Sequence, residues 1–227
     1  MIHGPAKEMY KANVDLTRKL IELSKQYNVK HFIYISTENA DNTLTDTYTA
    51  TKKLAEEEVG KFENHSILRP TIIYGPGDTK YLSKLIRIII KLPVVPVLGN
   101  GKNIFQFIHV KDVCNIVQEC IEKRIKGTFT IAGPDNISYI DTVKLLMKEL
   151  KVKRLLLTVP LFMLRPVAYI LNLFLKNPPV TPGQLANIQI DRVHNMNENI
   201  KLFDYHPVYL HQGVKELIHT ILSDEKS

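Results

Sequence analysis

The succession of elements along this 227-residue chain predicts an α/β fold built on a parallel, helix-covered sheet. Two patterns lead there. Apolar residues recur at helical spacing in several segments, and short β-rich apolar runs that read as buried strands alternate with them. Size and composition agree: 44% hydrophobic and 23% charged residues, without a low-complexity tract, describe a folded chain long enough to bury a sizeable core.

In chain order, Met9, Val14, Leu16, Leu20, Ile21 and Leu23 follow helical spacing between Ala6 and Tyr27, and "HFIYIS" from His31 to Ser36 is the first strand. The polar "TENADNTLTDT" leads into a helix carrying Tyr48 to Val59. "HSILRPTIIYG" supplies a second strand, closed by the turn-forming "GPGD". An apolar helix is expected near Tyr81 to Lys91, followed by the proline-interrupted "LPVVPVLGNGKN". "FQFIHV" then runs into a helix from Asp112 to Lys123, with Asp112 as its cap. "GTFTIAG" is a further strand, Ser138 to Leu150 a helix, and Gln212 to Leu222 the last helix. There is no internal repeat.

Charge and cysteine usage narrow the function classes. The net charge is +7, but Lys and Arg are dispersed, and groups such as Lys52-Lys53 and Lys151 to Arg154 sit among carboxylates or apolar residues. Without a helix-turn-helix, zinc-finger or aromatic RNA-binding signature, nucleic acid is not the expected partner. Cys114 and Cys120 match neither a redox pair nor a zinc knuckle, so they read as buried free thiols and no metal is expected. Free thiols and an N-terminus without a signal-peptide core fit a cytoplasmic setting. The stretch from Leu155 to Leu175 is apolar enough to suggest a membrane span, but Pro160, Arg165 and Pro166 interrupt it. A strand or loop followed by an apolar surface helix is the expectation, with membrane-surface contact as a minor alternative.

The stretch "YTATKKLAEEEV" places Tyr48 and Lys52 at i and i+4, on one face of their helix. Such a pair occurs by chance on many helices. Here it sits within an ordered set: "NVDLTRKLIELSKQYNVKHFIYIST", "YTATK", "ILRPTIIYGPGD", "FIHVKDV" and "TFTIAGPDNIS". That set resembles the extended and atypical short-chain dehydrogenase/reductases, in particular the NAD-dependent epimerase/dehydratase family that acts on nucleotide sugars. Two later segments, "VPLFMLRPVAYILNLF" and "PPVTPGQLANI", are similar to the branch that includes an accessory subunit of respiratory complex I.

The resemblance implies a Rossmann-type parallel sheet at residues 1–78 and a smaller, mixed substrate-binding region at 79–227, with parts near 105–133 packing back on the sheet. It implies that Tyr48 transfers a proton while hydride moves between the substrate and NAD or NADP. Lys52 lowers the tyrosine pKa and binds the cofactor ribose. Thr37, with Ser36 as the alternative, supplies a hydroxyl to the reacting substrate oxygen. Pro70, Thr71 and Ile72 pack beside the nicotinamide, Arg69 is structural, and Asn13 braces the active-site strands.

The chain departs from the family pattern at two places. No GxGxxG or GxxGxxG run precedes the catalytic segment, since the glycines lie at 4, 60, 75, 77, 99, 101, 127, 133, 183 and 213. "MIHGP" resembles the end of the family's fourth strand, so an incomplete Rossmann sheet is expected, lacking its first strands and phosphate loop. Its open edge would be covered by a partner or by a second copy in a homodimer. In "NIFQFIHVKD", Phe105 occupies the position where sugar-nucleotide members carry an arginine, which favours a more apolar substrate. Two functions therefore stand: an epimerase/dehydratase-like oxidoreductase for a nucleotide sugar or a related hydroxyl or carbonyl compound, impaired as an isolated chain, or a non-catalytic accessory or assembly module.

Overall fold

The computed structural model of the chain describes residues 5–41, 46–160, 162, 166, 191 and 193–224. In order, the elements are α1 (Ala6–Tyr10), α2 (Leu16–Gln26), β1 (Phe32–Ile35), α3 (Thr47–Val59), β2 (His65–Pro70), β3 (Ile72–Tyr74), α4 (Leu82–Lys91), β4 (Val94–Leu98), β5 (Ile104–His109), α5 (Val110–Lys123), β6 (Gly127–Ile131), β7 (Asn136–Ser138), α6 (Tyr139–Glu149), β8 (Leu155–Val159), α7 (Asn197–Leu202) and α8 (Leu210–Asp224). They form two compact units. The first comprises Met1–Thr71, Asp112–Ile131 and Met196–His206, and the second Ile72–Lys111, Ala132–Asn195 and Pro207–Ser227.

The first unit holds the expected parallel sheet, in the order β1-β2-β6. Ile33 registers with Ser66 and Leu68 with Phe129, so β2 is central, and its Ser66, Ile67 and Leu68 are fully or nearly buried. α2 and α3 cover one face, where Ile21 and Val59 meet Phe62, Ile67, Phe32 and Tyr34. The single helix expected from Ala6 forms, but a π-helical turn at Lys11–Asp15 joins α1 to α2. Its buried residues, Met9, Asn13, Val14, Thr17, Ile21 and Ser24, keep one face on the core.

"HSILRPTIIYG" forms two strands rather than one. Pro70, which has no N–H to give a ladder, ends β2, and Thr71 donates its backbone N–H to Ile131 O at 3.0 Å before the chain enters a different sheet as β3. In the second unit β3 and β5 are parallel, β5 and β7 antiparallel, and β4 and β8 form a separate parallel pair. The core of this unit gathers Tyr74, Phe107 and Val95 from strands with Leu82, Ile86 and Ile89 of α4, Val143 and Leu146 of α6, and Leu210, Val214 and Leu217 of α8.

Two expectations need correction. Asp112 does not cap a helix: α5 starts two residues earlier, and the carboxylate is buried in its first turn, where it accepts a hydrogen bond from the Tyr205 hydroxyl at 3.3 Å. Cys120 is buried, but Cys114 is exposed. The strand expected in "GTFTIAG" forms at Gly127–Ile131, and beyond it the backbone passes Phe107 so closely that a Cβ on Gly133 would lie 1.8 Å from the Phe107 carbonyl oxygen. Of the apolar stretch from Leu155, the described part includes strand β8; most of the remainder and "PPVTPGQLANI" lie outside the described residues. Among the described residues no helix is long and apolar enough to cross a membrane.

Candidate active site

The helix α3 carries Tyr48 and Lys52, and its start is fixed by local chemistry. Asp46, in extended conformation, accepts the Thr49 backbone N–H at 2.8 Å, and the Thr49 hydroxyl donates back to the other carboxylate oxygen at 3.1 Å. That cap sets Tyr48 in the first turn and Lys52 in the second. Thr49, Thr51, Ala55, Glu56, Glu58 and Val59 are its buried residues. Tyr48 and Lys52 are both half-buried.

Glu56 continues the stripe begun by Tyr48 and Lys52 at the next i+4 position, and it is held firmly. The Arg69 guanidinium on β2 grips its carboxylate in a forked arrangement, Nε to Oε1 at 3.0 Å and Nη2 to Oε2 at 2.6 Å, with both side chains largely buried. The structural role expected of Arg69 is thus a clamp that fixes the rotation of α3 about its axis. The sequence signal for Glu56 is the i, i+4, i+8 spacing from Tyr48 through Lys52. A second brace comes from the π-turn: the Asn13 amide donates to the Thr51 hydroxyl at 3.0 Å, so Asn13 holds the helix that carries Tyr48.

Lys52 reaches from α3 to the end of β1. Its Nζ donates to the Ile35 carbonyl at 2.6 Å and lies 4.1 Å from the centroid of the Tyr34 ring. Burial pushes the Lys52 ammonium down to about 8, against the pull of the Glu56 carboxylate. Burial also pushes the Tyr34 phenol well above its ordinary value, so Tyr34 stays neutral.

Immediately beyond Ile35 stand the two candidate hydroxyls. Ser36 donates its backbone N–H to Leu68 O at 2.7 Å, which keeps it in line with β2, while its buried Oγ has no hydrogen-bond partner. Thr37 is also buried, and its hydroxyl accepts the Asn39 N–H at 3.4 Å, closing the turn at Glu38–Asp41. At the end of neighbouring β2, Pro70 and Thr71 are buried, and the Thr71 hydroxyl likewise has no partner. Two unpaired hydroxyls thus lie at the carboxyl ends of adjacent parallel strands, where open α/β sheets bind their ligands. Ile72 and Phe105 belong to the second unit: Ile72 pairs with Phe107 across β3 and β5, and the Phe105 ring packs 6.1 Å from Phe107 and 6.4 Å from Tyr139.

Comparison with known proteins places these features in a wider setting. A family model described as the NAD dependent epimerase/dehydratase family matches residues 3–132. The 3beta-hydroxysteroid-dehydrogenase/decarboxylase isoform 1 of Arabidopsis thaliana is 24% identical over 92% of this chain and 57% of its own length. The mitochondrial NADH-ubiquinone oxidoreductase 40 kDa subunit of Neurospora crassa is 25% identical over 80% of this chain and 48% of its own. The chain therefore spans about half the length of these relatives. Among solved structures, the UDP-glucuronic acid 4-epimerase of Bacillus cereus, in complex with UDP-glucuronic acid and NAD, shares the fold with a TM-score of 0.73 at 18% identity. That match covers 93% of this chain and 67% of the other.

Proposed function

The chain belongs to the NAD dependent epimerase/dehydratase family, and from that premise we propose that it carries the proton-transfer half of an NAD(P)-dependent oxidoreductase site. The observation that carries this reading is the stripe Tyr48, Lys52 and Glu56, clamped by Arg69 and anchored at the strand end that presents the Ser36 and Thr71 hydroxyls. A nicotinamide dinucleotide, when bound, supplies the carbon that accepts or returns a hydride. The residues present fit its nicotinamide-ribose end: Lys52 as a donor, Thr71 with a hydroxyl free to bond, and Pro70 as apolar packing.

Tyr48 takes the proton from the substrate hydroxyl, or returns it to the carbonyl. A phenol of pKa about 10 is a poor base at neutral pH, and the Lys52 ammonium on the same helical face stabilises the phenolate. The hydroxyl that orients the reacting oxygen comes from Ser36 or Thr37. The unpaired Oγ of Ser36 favours Ser36, since the Thr37 hydroxyl already serves its turn. The substrate is a nucleotide sugar or a related compound with a secondary hydroxyl or ketone. Phe105, where an arginine clamp would hold a diphosphate, inclines the choice toward an apolar one.

The second reading, a non-catalytic accessory module, is favoured by the likeness to the Neurospora crassa subunit. One pair of measurements separates the two. NADH titrated into the purified chain is expected to bind more weakly than the micromolar range, and Tyr48→Phe is expected to abolish any substrate-linked reduction of NAD(P). Activity unchanged in Tyr48→Phe sinks the catalytic reading.

A further inference from the structure

The two-stranded sheet of β4 and β8 packs Val95, Val97 and Leu156 inward and leaves part of its other face exposed. Val95 and Val97 are fully buried, and Leu156 packs against the core of the second unit. The register pairs Val94 with Leu155, Pro96 with Leu157, and Leu98 with Val159, so the opposite face is made of six apolar side chains and nothing else. Leu155 is 66% exposed and Leu157 54%, and Leu92, just ahead of β4, is 47% exposed, while Val94, Pro96, Leu98 and Val159 are half-buried. A continuous apolar sheet face of this kind marks a contact surface.

What fits it is indicated by charge. Residues 79–102, which contain α4 and β4, hold five Lys or Arg and no carboxylate, and residues 150–160, which contain β8, hold three and none. These eight cations exceed the whole net charge of +7, and the other 22 Lys and Arg stand against all 23 Asp and Glu. These two segments carry the largest part of the imbalance, alongside smaller carboxylate-free groups at 123–134 and 161–190. Their placement is also ordered. β4 and β8 are parallel, and Leu155 N–H donates to Pro93 O at 3.1 Å, so exposed Lys91, Lys151 and Lys153 lie by the chain entrances to the same end of the sheet. Arg154 is turned inward instead, donating to the Ile89 and Ile90 carbonyls at the end of α4 at 2.8 and 3.1 Å.

We infer that the outer face of the β4–β8 sheet is a docking surface for an anionic lipid bilayer, with Leu92, Leu155 and Leu157 entering the headgroup boundary and Lys91, Lys151 and Lys153 pairing with acidic headgroups. Apolar insertion flanked by lysines is the combination that holds a protein to such a surface, and neither half suffices alone. An apolar face without hydrogen-bonding side chains suits a bilayer better than a polar polymer such as nucleic acid, which would need aromatic or hydrogen-bonding groups among the cations.

Co-sedimentation of the full chain with vesicles tests this independently of any catalytic role. Vesicles of phosphatidylcholine with about 30% phosphatidylserine should bind the chain about tenfold more than phosphatidylcholine alone, and raised salt should remove that difference. Leu155→Ser/Leu157→Ser, which leaves the apolar run after Pro160 intact, should lower binding about tenfold with an unchanged melting curve. Lys151→Glu/Lys153→Glu should abolish the preference for the acidic lipid. Three outcomes overturn the inference: no vesicle binding by the unaltered chain, undiminished binding by both variants, or a dimer in solution that Leu155→Ser/Leu157→Ser dissociates, which would assign the face to a second copy.

Discussion

Lys52 is the residue on which the site's electrostatics turn. Its Nζ is committed to a carbonyl and a ring face, neither of which carries a full negative charge, and burial therefore holds its pKa near 8. Because the folded value lies below the ordinary lysine range, the cost of the buried ammonium is fully present below about pH 8 and is relieved as pH rises above it. In a spectrum of isotopically methylated lysines, one resonance should titrate near 8, and it should vanish in Lys52→Arg. Glu56→Gln, which removes the opposing carboxylate, should move it lower still; a resonance at the ordinary lysine value would refute the burial argument. The sequence displayed Tyr48 and Lys52 because helical spacing is a local property. It left Ser36 and Thr37 unresolved, since which hydroxyl is unpaired depends on the turn that Thr37 closes three-dimensionally.

At the scale of elements, α3 is set against the sheet by the Arg69–Glu56 clamp and by the Asn13–Thr51 bond. Arg69→Met would leave the Glu56 carboxylate buried with its clamp gone, and should cost about 3 kcal/mol in denaturant unfolding. Adding Glu56→Leu should recover most of that loss, to within about 1 kcal/mol of the parent, because the unpaired charge is gone and apolar packing replaces it. Failure of the second substitution to rescue the first would mean that the clamp is not the main function of Arg69. The elements themselves were largely legible: the helices at 6–26, 82–91, 139–149 and 210–224 and the strands at 32–35 and 127–131 fall close to the expected positions. What was not legible depended on partners distant in the chain. After Pro70 the Thr71 N–H still bonds Ile131 before the chain joins a different sheet, Asp112 is buried where Tyr205 meets it, and β4 is a strand because β8, some sixty residues on, pairs with it.

At the scale of the whole molecule, β1 pairs only with β2 among the described residues and so stands at an edge of its sheet. We propose that a second copy or a partner strand covers this edge, and amide exchange offers the check: β1 should exchange much faster than central β2 in dilute protein and slow as concentration rises if the cover is a second copy. The first unit is also assembled from three separated pieces of chain, the last being Met196–His206. That piece is integral. Phe203 is buried against Phe129 with ring centroids 5.1 Å apart, the Asn199 amide donates to Thr130 O at 2.6 Å, and Tyr205 serves Asp112. During synthesis the N-terminal residues therefore leave the ribosome long before the segment that seals their sheet, and most of the second unit is made in the interval. A nascent chain halted at Asn195 should expose the apolar flank of β6 and be held by chaperones or cleaved, whereas one extended through His206 should close it, so the moment of commitment in the life of this protein is set by eleven residues near its far end.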